Sequence, residues 1–270
     1  MFWDQFSDGE KAEAAWDGKA RELGASHPLK ILRTLPQMPG IAEGAIKRKG
    51  LFYLLRHANG LFWRYFFRQP LCYTLRLFRS YLRGKSYVRD GDFFLYSFSS
   101  LAQFTEKLRD PNSLFVLGFS YCHKPFECPS GRFTDQCIKD PEHPVCRQCF
   151  IGKCAHAAPP SAKLLWIPTI HYIGEQMFVL KEAHPDKKIV FLITACEMSL
   201  EMFGDWGYMA ELEGIGVRLD GRICNTMRAF ELSEKGVKPG LTVVLDETQK
   251  RMLEILKLAR SRGAQYTAPG

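Results

Sequence analysis

Thiol groups are the side chains of this sequence best placed to do chemistry. Nine cysteines occur among the 270 residues, and eight of them lie between Cys122 and Cys224. Three fall within CRQCFIGKC, residues 146 to 154. In a reducing compartment, clustered thiols are more often metal ligands or redox groups than structural disulfides. The pattern therefore predicts a metal or redox centre.

The spacing of the thiols favours an iron–sulfur cluster. Cys146 and Cys149 form a Cys-x2-Cys pair, a unit of zinc and iron–sulfur sites alike. Zinc modules usually combine two such pairs, and this sequence has one. Iron–sulfur clusters accept ligands scattered along the chain. We therefore predict a cluster of the 4Fe–4S type and keep structural zinc and metal-free redox thiols as alternatives.

The predicted ligands are all thiolates. Eight cysteines would fill two four-thiolate sites, or one site with spare or reactive thiols. The loop histidines His123, His143 and His156 are weaker candidates, since such side chains are more often solvated or hydrogen-bonded. Cys72 is interpreted as a small buried apolar residue. The predicted metal ligands are Cys122, Cys128, Cys137, Cys146, Cys149, Cys154, Cys196 and Cys224.

Three of these cysteines follow predicted β-strands. Cys122 comes after SLFVLGF (113–119), Cys196 after KKIVFLITA (187–195) and Cys224 after IGVRLDG (215–221). Parallel strands would end at one edge of a sheet, where open α/β sheets bind ligands. Residues 122–160 would form a long loop over that edge. The predicted cofactor-binding residues are Cys122, Cys128, Cys196 and Cys224.

The elements that must position these thiols alternate between strand and helix. Further strands are predicted for KLLWIPT (163–169) and LTVVL (241–245). Helices are predicted over 171–183, 199–214, 225–236 and 246–263, the last capped by Asp246. The alternation predicts an α/β fold with a mostly parallel sheet flanked by helices, a long cysteine-rich loop and a basic helical N-terminal region. The predicted divisions are an arm (1–45), a basic amphipathic helical region (46–90) and an α/β cysteine-cluster domain (91–270).

The basic region carries two predicted amphipathic helices. Residues 47–90 contain 11 basic residues and one acidic residue, within a chain of net charge +8. The first apolar stripe consists of Leu51, Leu54, Leu55, Ala58, Phe62, Tyr65 and Phe66. The second consists of Leu71, Leu75, Phe78 and Leu82, with Arg76, Arg79 and Arg83 on another face. The stripes could pack on the domain, lie on an anionic membrane or bind RNA, although no RNA-binding motif is present.

The sequence predicts a cytoplasmic protein. Its longest apolar runs fall short of the roughly 20 residues that a membrane span needs. Its first residues have neither the basic n-region nor the apolar h-region of a signal peptide. If the basic helices bind lipid, we expect the protein at the inner face of the membrane.

The cysteine pattern resembles that of an uncharacterised group of bacterial and archaeal cysteine-motif proteins, classified as a domain of unknown function. The resemblance covers residues 113–260 and rests on the Cys-x2-Cys pair and on the sequences FLITACEMSL and GRICNT. It implies shared metal ligation and an α/β fold but no reaction. Two departures are a segment 129–145 that is longer than expected, and residues 150–153, which separate Cys149 from Cys154 more widely than in a tight three-cysteine knuckle. The matching positions are Cys122, Cys128, Cys146, Cys149, Cys154, Cys196, Cys224, Asn225 and Thr226.

Three functions are consistent with these observations. The first is a metal-binding protein that uses thiols at the sheet edge for redox or substrate chemistry, with an unknown redox partner or small-molecule substrate. The second is a zinc-stapled module that binds anionic membrane or RNA. The third is a metal-free thiol enzyme with Cys196 or Cys224 as nucleophile, and catalytic residues are otherwise unassigned. Glu197 and Glu201 are interpreted as a solvated helix face.

Overall fold

The computed structural model describes Lys11 and residues 46–58, 60–83, 87–221, 224, 227–237 and 242–263. Apart from Lys11, the predicted N-terminal arm lies outside the described residues, as do Asn225 and Thr226.

A seven-stranded sheet forms the centre of the molecule. Its order is β1-β2-β6-β5-β3-β4, and β7 pairs with β6. The four strands β3 to β6 are mutually parallel, whereas β1, β2 and β7 are antiparallel to their neighbours. The predicted α/β fold with a mostly parallel sheet flanked by helices is therefore confirmed. The strands are β1 (Val88–Asp90), β2 (Phe93–Tyr96), β3 (Ser113–Ser120), β4 (Lys163–Ile167), β5 (Lys188–Cys196), β6 (Glu213–Gly221) and β7 (Thr242–Val243).

Helices cover both faces of the sheet. Alternate residues of β5 point to opposite sides, so Leu192 joins the core under α4, α6 and α10, while Phe191 joins the core under α7 and α8. The helices are α1 (Ile46–Arg56), α2 (Gly60–Phe66), α3 (Pro70–Arg83), α4 (Leu101–Lys107), α5 (Pro144–Gln148), α6 (Phe150–Ala157), α7 (Ile170–Ala183), α8 (Glu197–Met209), α9 (Met227–Ser233) and α10 (Asp246–Gly263).

Two strand assignments differ from the sequence prediction. The strand predicted over 241–245 shortens to Thr242–Val243 and pairs antiparallel with the end of β6. The region expected to be helical up to residue 90 ends in β1, which turns through Gly91 and Asp92 into the buried strand β2. Gly91 has a φ of +60°, a backbone conformation that favours glycine.

The basic helices pack on the α/β domain. α1 and α3 contact α8, and α2 contacts α7. In α2 the Tyr65 hydroxyl donates a 2.8 Å hydrogen bond to the Phe178 carbonyl of α7, and the two rings stack at 4.2 Å. The first predicted apolar stripe therefore contributes to the core, although it is divided between two helices. In the described part of the chain, no helix has the length and apolar character needed to cross a membrane.

Candidate functional site

Four cysteines from the long loop line one small cavity. They are Cys128, Cys137, Cys146 and Cys149, and the cavity measures about 20 Å³. Cys146 lies on α5, and Cys149 links α5 to α6. The loop thus brings together thiols that are up to 21 positions apart in the sequence. We call this arrangement the four-thiol cavity.

A buried lysine organises the loop around the four-thiol cavity. Lys124 is only 2% exposed and lines the cavity. Its ammonium group donates hydrogen bonds of 3.3, 2.9 and 2.7 Å to the carbonyls of Gly131, Thr134 and Gln136. Burial lowers the pKa of Lys124, and the neighbouring thiols oppose that effect. The side chain therefore fixes the loop's path and brings a cation close to the sulfur atoms.

Arg132 makes a second connection between this loop and the end of β3. Its guanidinium donates 3.2 Å hydrogen bonds to the carbonyls of Lys124 and Cys122. It also lies over the ring of Phe126, 4.4 Å from the centroid. Lys124 and Arg132 therefore hold the loop through hydrogen bonds to its backbone carbonyls.

Backbone amides lie near two of the thiols. The N–H groups of Gly152 and Ile151, at the start of α6, act on the Cys149 thiol. Burial raises the pKa of Cys149 to about 11, and these amides act in the opposite direction. The amide of Asp140 likewise opposes the effect of burial, which raises the pKa of Cys146. Gly152 is required by packing, because a Cβ there would lie 2.9 Å from the Cys146 carbonyl oxygen.

The other strand-end cysteines line a second pocket. Cys122, Cys196 and Cys224 lie together at the carboxyl edge of the parallel strands, around a pocket of about 40 Å³. All three are buried. Cys196 caps the amino terminus of α8, with its sulfur 3.3 Å from the Ser199 hydroxyl oxygen. We call this the three-thiol pocket. The two sites adjoin in the sequence, because Cys122 lines the three-thiol pocket and Lys124 lines the four-thiol cavity.

Two polar residues add to the three-thiol pocket. Glu234 accepts hydrogen bonds of 3.1 and 2.9 Å from the Ile170 amide, and its nearer oxygen lies 3.8 Å from His171 Nδ1. Burial raises the pKa of Glu234, opposed by His171 and the Ile170 amide. The Thr194 hydroxyl is fully buried and has no hydrogen-bond partner among the described residues. Burying a hydroxyl without a hydrogen-bond partner lowers the stability of the fold unless a ligand or water supplies the missing hydrogen bond.

The remaining two cysteines lie elsewhere. Cys154 is fully buried in the hydrophobic core beside Phe150 and Ile151, and it lines neither cavity. Cys72 is partly exposed on α3, so the interpretation as a buried residue is wrong.

The three candidate histidines occupy different environments. His123 is 5% exposed, lies against the ring of Phe150, and has no described hydrogen-bond partner on either ring nitrogen. His143 caps α5, where its Nδ1 accepts a 3.3 Å hydrogen bond from the Val145 amide. His156 is exposed. None of the three lines the four-thiol cavity.

The two glutamates after Cys196 are not simply solvated. Glu197 accepts a 2.9 Å hydrogen bond from Arg89 of β1. Glu201 accepts a hydrogen bond from the hydroxyl of Tyr87. Both carboxylates therefore bind the segment that joins the basic helices to the sheet, which corrects the interpretation as a solvated face.

Sequence reasoning missed Lys124, Arg132, Thr194 and Glu234. Only the position of Lys124 and Arg132 inside the cysteine-rich loop could have drawn attention to these two residues.

Within the described ranges, no three His, Cys, Asp or Glu side chains stand close enough together to hold a single metal ion as they are placed. The chain matches no family model, no curated protein and no solved structure.

Proposed function

We propose that this chain is an iron–sulfur protein in which Cys128, Cys137, Cys146 and Cys149 hold a 4Fe–4S cluster. The observation that carries the proposal is that these four thiols, from separate parts of a long loop, line one cavity. Four cysteine thiolates are the usual ligand set of such a cluster. The proposal uses half of the eight ligands that the sequence predicted.

The surroundings of the thiols support this ligand set. Thiolates bound to iron are negatively charged, and the Lys124 ammonium beside them would offset part of that charge. The amides near Cys149 and Cys146 would stabilise the same sulfurs. Charge and hydrogen bonds at the sulfurs are the features by which proteins set the reduction potential of a cluster. When bound, such a cluster supplies one-electron transfer.

The three-thiol pocket is proposed as the place where a small-molecule substrate or a redox partner group is bound. Its thiols and Glu234 lie at the carboxyl edge of the sheet, where α/β proteins bind ligands. The unsatisfied Thr194 hydroxyl is a donor available to such a ligand. A reducing cytoplasm would keep all these thiols in the form that binds metal or reacts.

The proposal is tested by anaerobic purification followed by analysis of iron, zinc and acid-labile sulfide and by a visible absorption spectrum. We expect about four iron and four sulfide per chain in the wild type. Cys137→Ser and Cys146→Ser should lose most of both. Cys72→Ser, at a partly exposed position on α3, is the matched control and should keep both.

Other outcomes are equally informative. Stoichiometric zinc without sulfide would replace the cluster with a structural zinc site. Loss of iron in Cys196→Ser or Cys224→Ser, with full retention in Cys137→Ser, would move the cluster from the four-thiol cavity to the three-thiol pocket. Absence of metal in every anaerobic preparation would favour metal-free thiol chemistry.

A further inference from the structure

A row of large apolar side chains on α3 faces away from the protein. Leu71, Leu75, Phe78 and Leu82 are 81%, 60%, 60% and 67% exposed, and Phe67, in the turn before the helix, is 67% exposed. The spacing of three and four residues puts the four α3 side chains on one side of the helix. We call these four residues the outer face of α3. A contiguous apolar row of this kind marks an interaction surface.

The side of α3 that packs on the domain combines polar and apolar side chains. Ser80 is 1% exposed and donates a hydrogen bond to the Asp205 carboxylate of α8. Arg76 forms an ion pair with Glu211 and lies 3.5 Å from the Met209 carbonyl. Partly buried Tyr73 and Leu77 add apolar contact. An ordinary surface helix buries its main apolar face, whereas α3 buries a mixed face and leaves its row of four large apolar side chains exposed.

We propose that the outer face of α3 docks on an anionic membrane surface. Residues 47–90 carry 11 basic residues and one acidic residue, and α3 itself has no acidic residue. Arg79 is exposed next to Phe78. Exposed Arg48, Lys49 and Arg56 lie on α1, which packs on α8 as α3 does. Inserted leucine and phenylalanine with surrounding arginine is the chemistry by which helices lie in the plane of an anionic bilayer.

Charge favours lipid over a second copy of the chain. Two copies paired through the outer face would bring like-charged arginines together, and α3 offers no carboxylate to compensate them. With 14 residues, α3 is also shorter than the three or more heptads that sustain a coiled coil. An anionic bilayer accepts both the apolar row and the arginines. This inference does not depend on the cluster.

The test is cosedimentation of the full chain with vesicles, at low and high salt. One set contains phosphatidylglycerol mixed with phosphatidylcholine, and the other contains phosphatidylcholine alone. We expect wild-type binding to the anionic vesicles only, weakened by salt because counterions screen the arginines. The double variant Leu75→Gln/Phe78→Gln should bind at least about tenfold more weakly, since two apolar side chains no longer enter the bilayer.

The control is Leu258→Gln, at a 46% exposed position on α10, and it should bind like the wild type. Circular dichroism and thermal unfolding establish that each variant is folded. Equal sedimentation of wild type and double variant would overturn the proposal, as would equal binding to neutral vesicles. A wild-type dimer that becomes a monomer in the double variant, without vesicle binding, would assign the face to a second copy.

Discussion

Single buried side chains decide how the cysteine-rich loop is built. The cysteine-rich loop contains only short helices, so few of its carbonyls bond within regular secondary structure. Lys124 and Arg132 donate hydrogen bonds to carbonyls of this loop instead, and these bonds fix its path. Such contacts are set by the folded path of the chain. The sequence could therefore predict that thiols gather here, because cysteine spacing is visible. It could not predict which four meet, or that Cys154 enters the core instead.

The environment of His123 likewise depends on the folded path of the chain, which the sequence does not show. As a loop histidine it was a candidate ligand, but it lies in the core with both ring nitrogens unsatisfied among the described residues. Burial lowers the pKa of His123 to about 4. Between that value and the usual value of about 6.5, the unfolded chain binds a proton that the folded chain does not. Stability is therefore fully present above pH 6.5 and falls as the pH drops toward 4.

We predict that His123→Leu removes this loss of stability. The buried wild-type imidazole should cost up to about 3 kcal/mol of unfolding free energy over that pH range, and the variant should lack that dependence. Urea unfolding of both proteins at about pH 7 and about pH 5 measures the difference. His156→Leu, at an exposed position, is the control and should follow the wild type. Parallel pH dependence of His123→Leu and wild type would contradict the prediction.

At the scale of elements, periodicity identified the parallel strands and the helices between them. The short apolar runs gave β3, β4, β5 and β6, because a buried strand needs an uninterrupted apolar sequence. The β1–β2 hairpin was missed because its first strand is short, exposed and charged. The orientation of α3 was also beyond the pattern. Periodicity defines an apolar face but does not say which face the rest of the protein binds.

Glycine has a packing role in the central strand β6. A Cβ at Gly214 would lie 2.3 Å from the Phe191 carbonyl oxygen on β5, and backbone in the middle of a sheet cannot move aside easily. We predict that Gly214→Ala lowers the free energy of unfolding by about 2–3 kcal/mol. Gly60→Ala on α2, where no atom lies within 4 Å, should have little effect or stabilise. Urea unfolding followed by circular dichroism compares them, and equal midpoints would refute the packing argument.

At the scale of the whole molecule, composition indicated which kinds of site to expect, but not where those sites lie relative to each other. Basic residues concentrated between 47 and 90, and thiols between 122 and 224, predicted a docking region and a metal or redox centre. The arrangement of these two regions depends on tertiary packing between residues distant in sequence. α8 connects them, because it begins beside Cys196 and contacts both α1 and α3.

We expect that shared helix to couple the outer face of α3 to the three-thiol pocket. Gly50 of α1 meets Met202, and Ser80 of α3 binds Asp205, while Cys196 caps the same helix. Cys196 is only 6% exposed, so alkylation requires α8 to open locally. We predict that anionic vesicles slow alkylation of Cys196 by iodoacetamide about fivefold or more, as a docked α3 holds α8 closed. Mass spectrometry measures the rate, with phosphatidylcholine vesicles as control.

An unchanged rate would show that the two surfaces act independently. A slower rate carries a reciprocal consequence, because coupling between two sites acts equally in both directions. A ligand that closes the three-thiol pocket would then tighten attachment to the bilayer, and release of that ligand would loosen it. The protein would distribute itself between membrane and solution according to what its thiols hold.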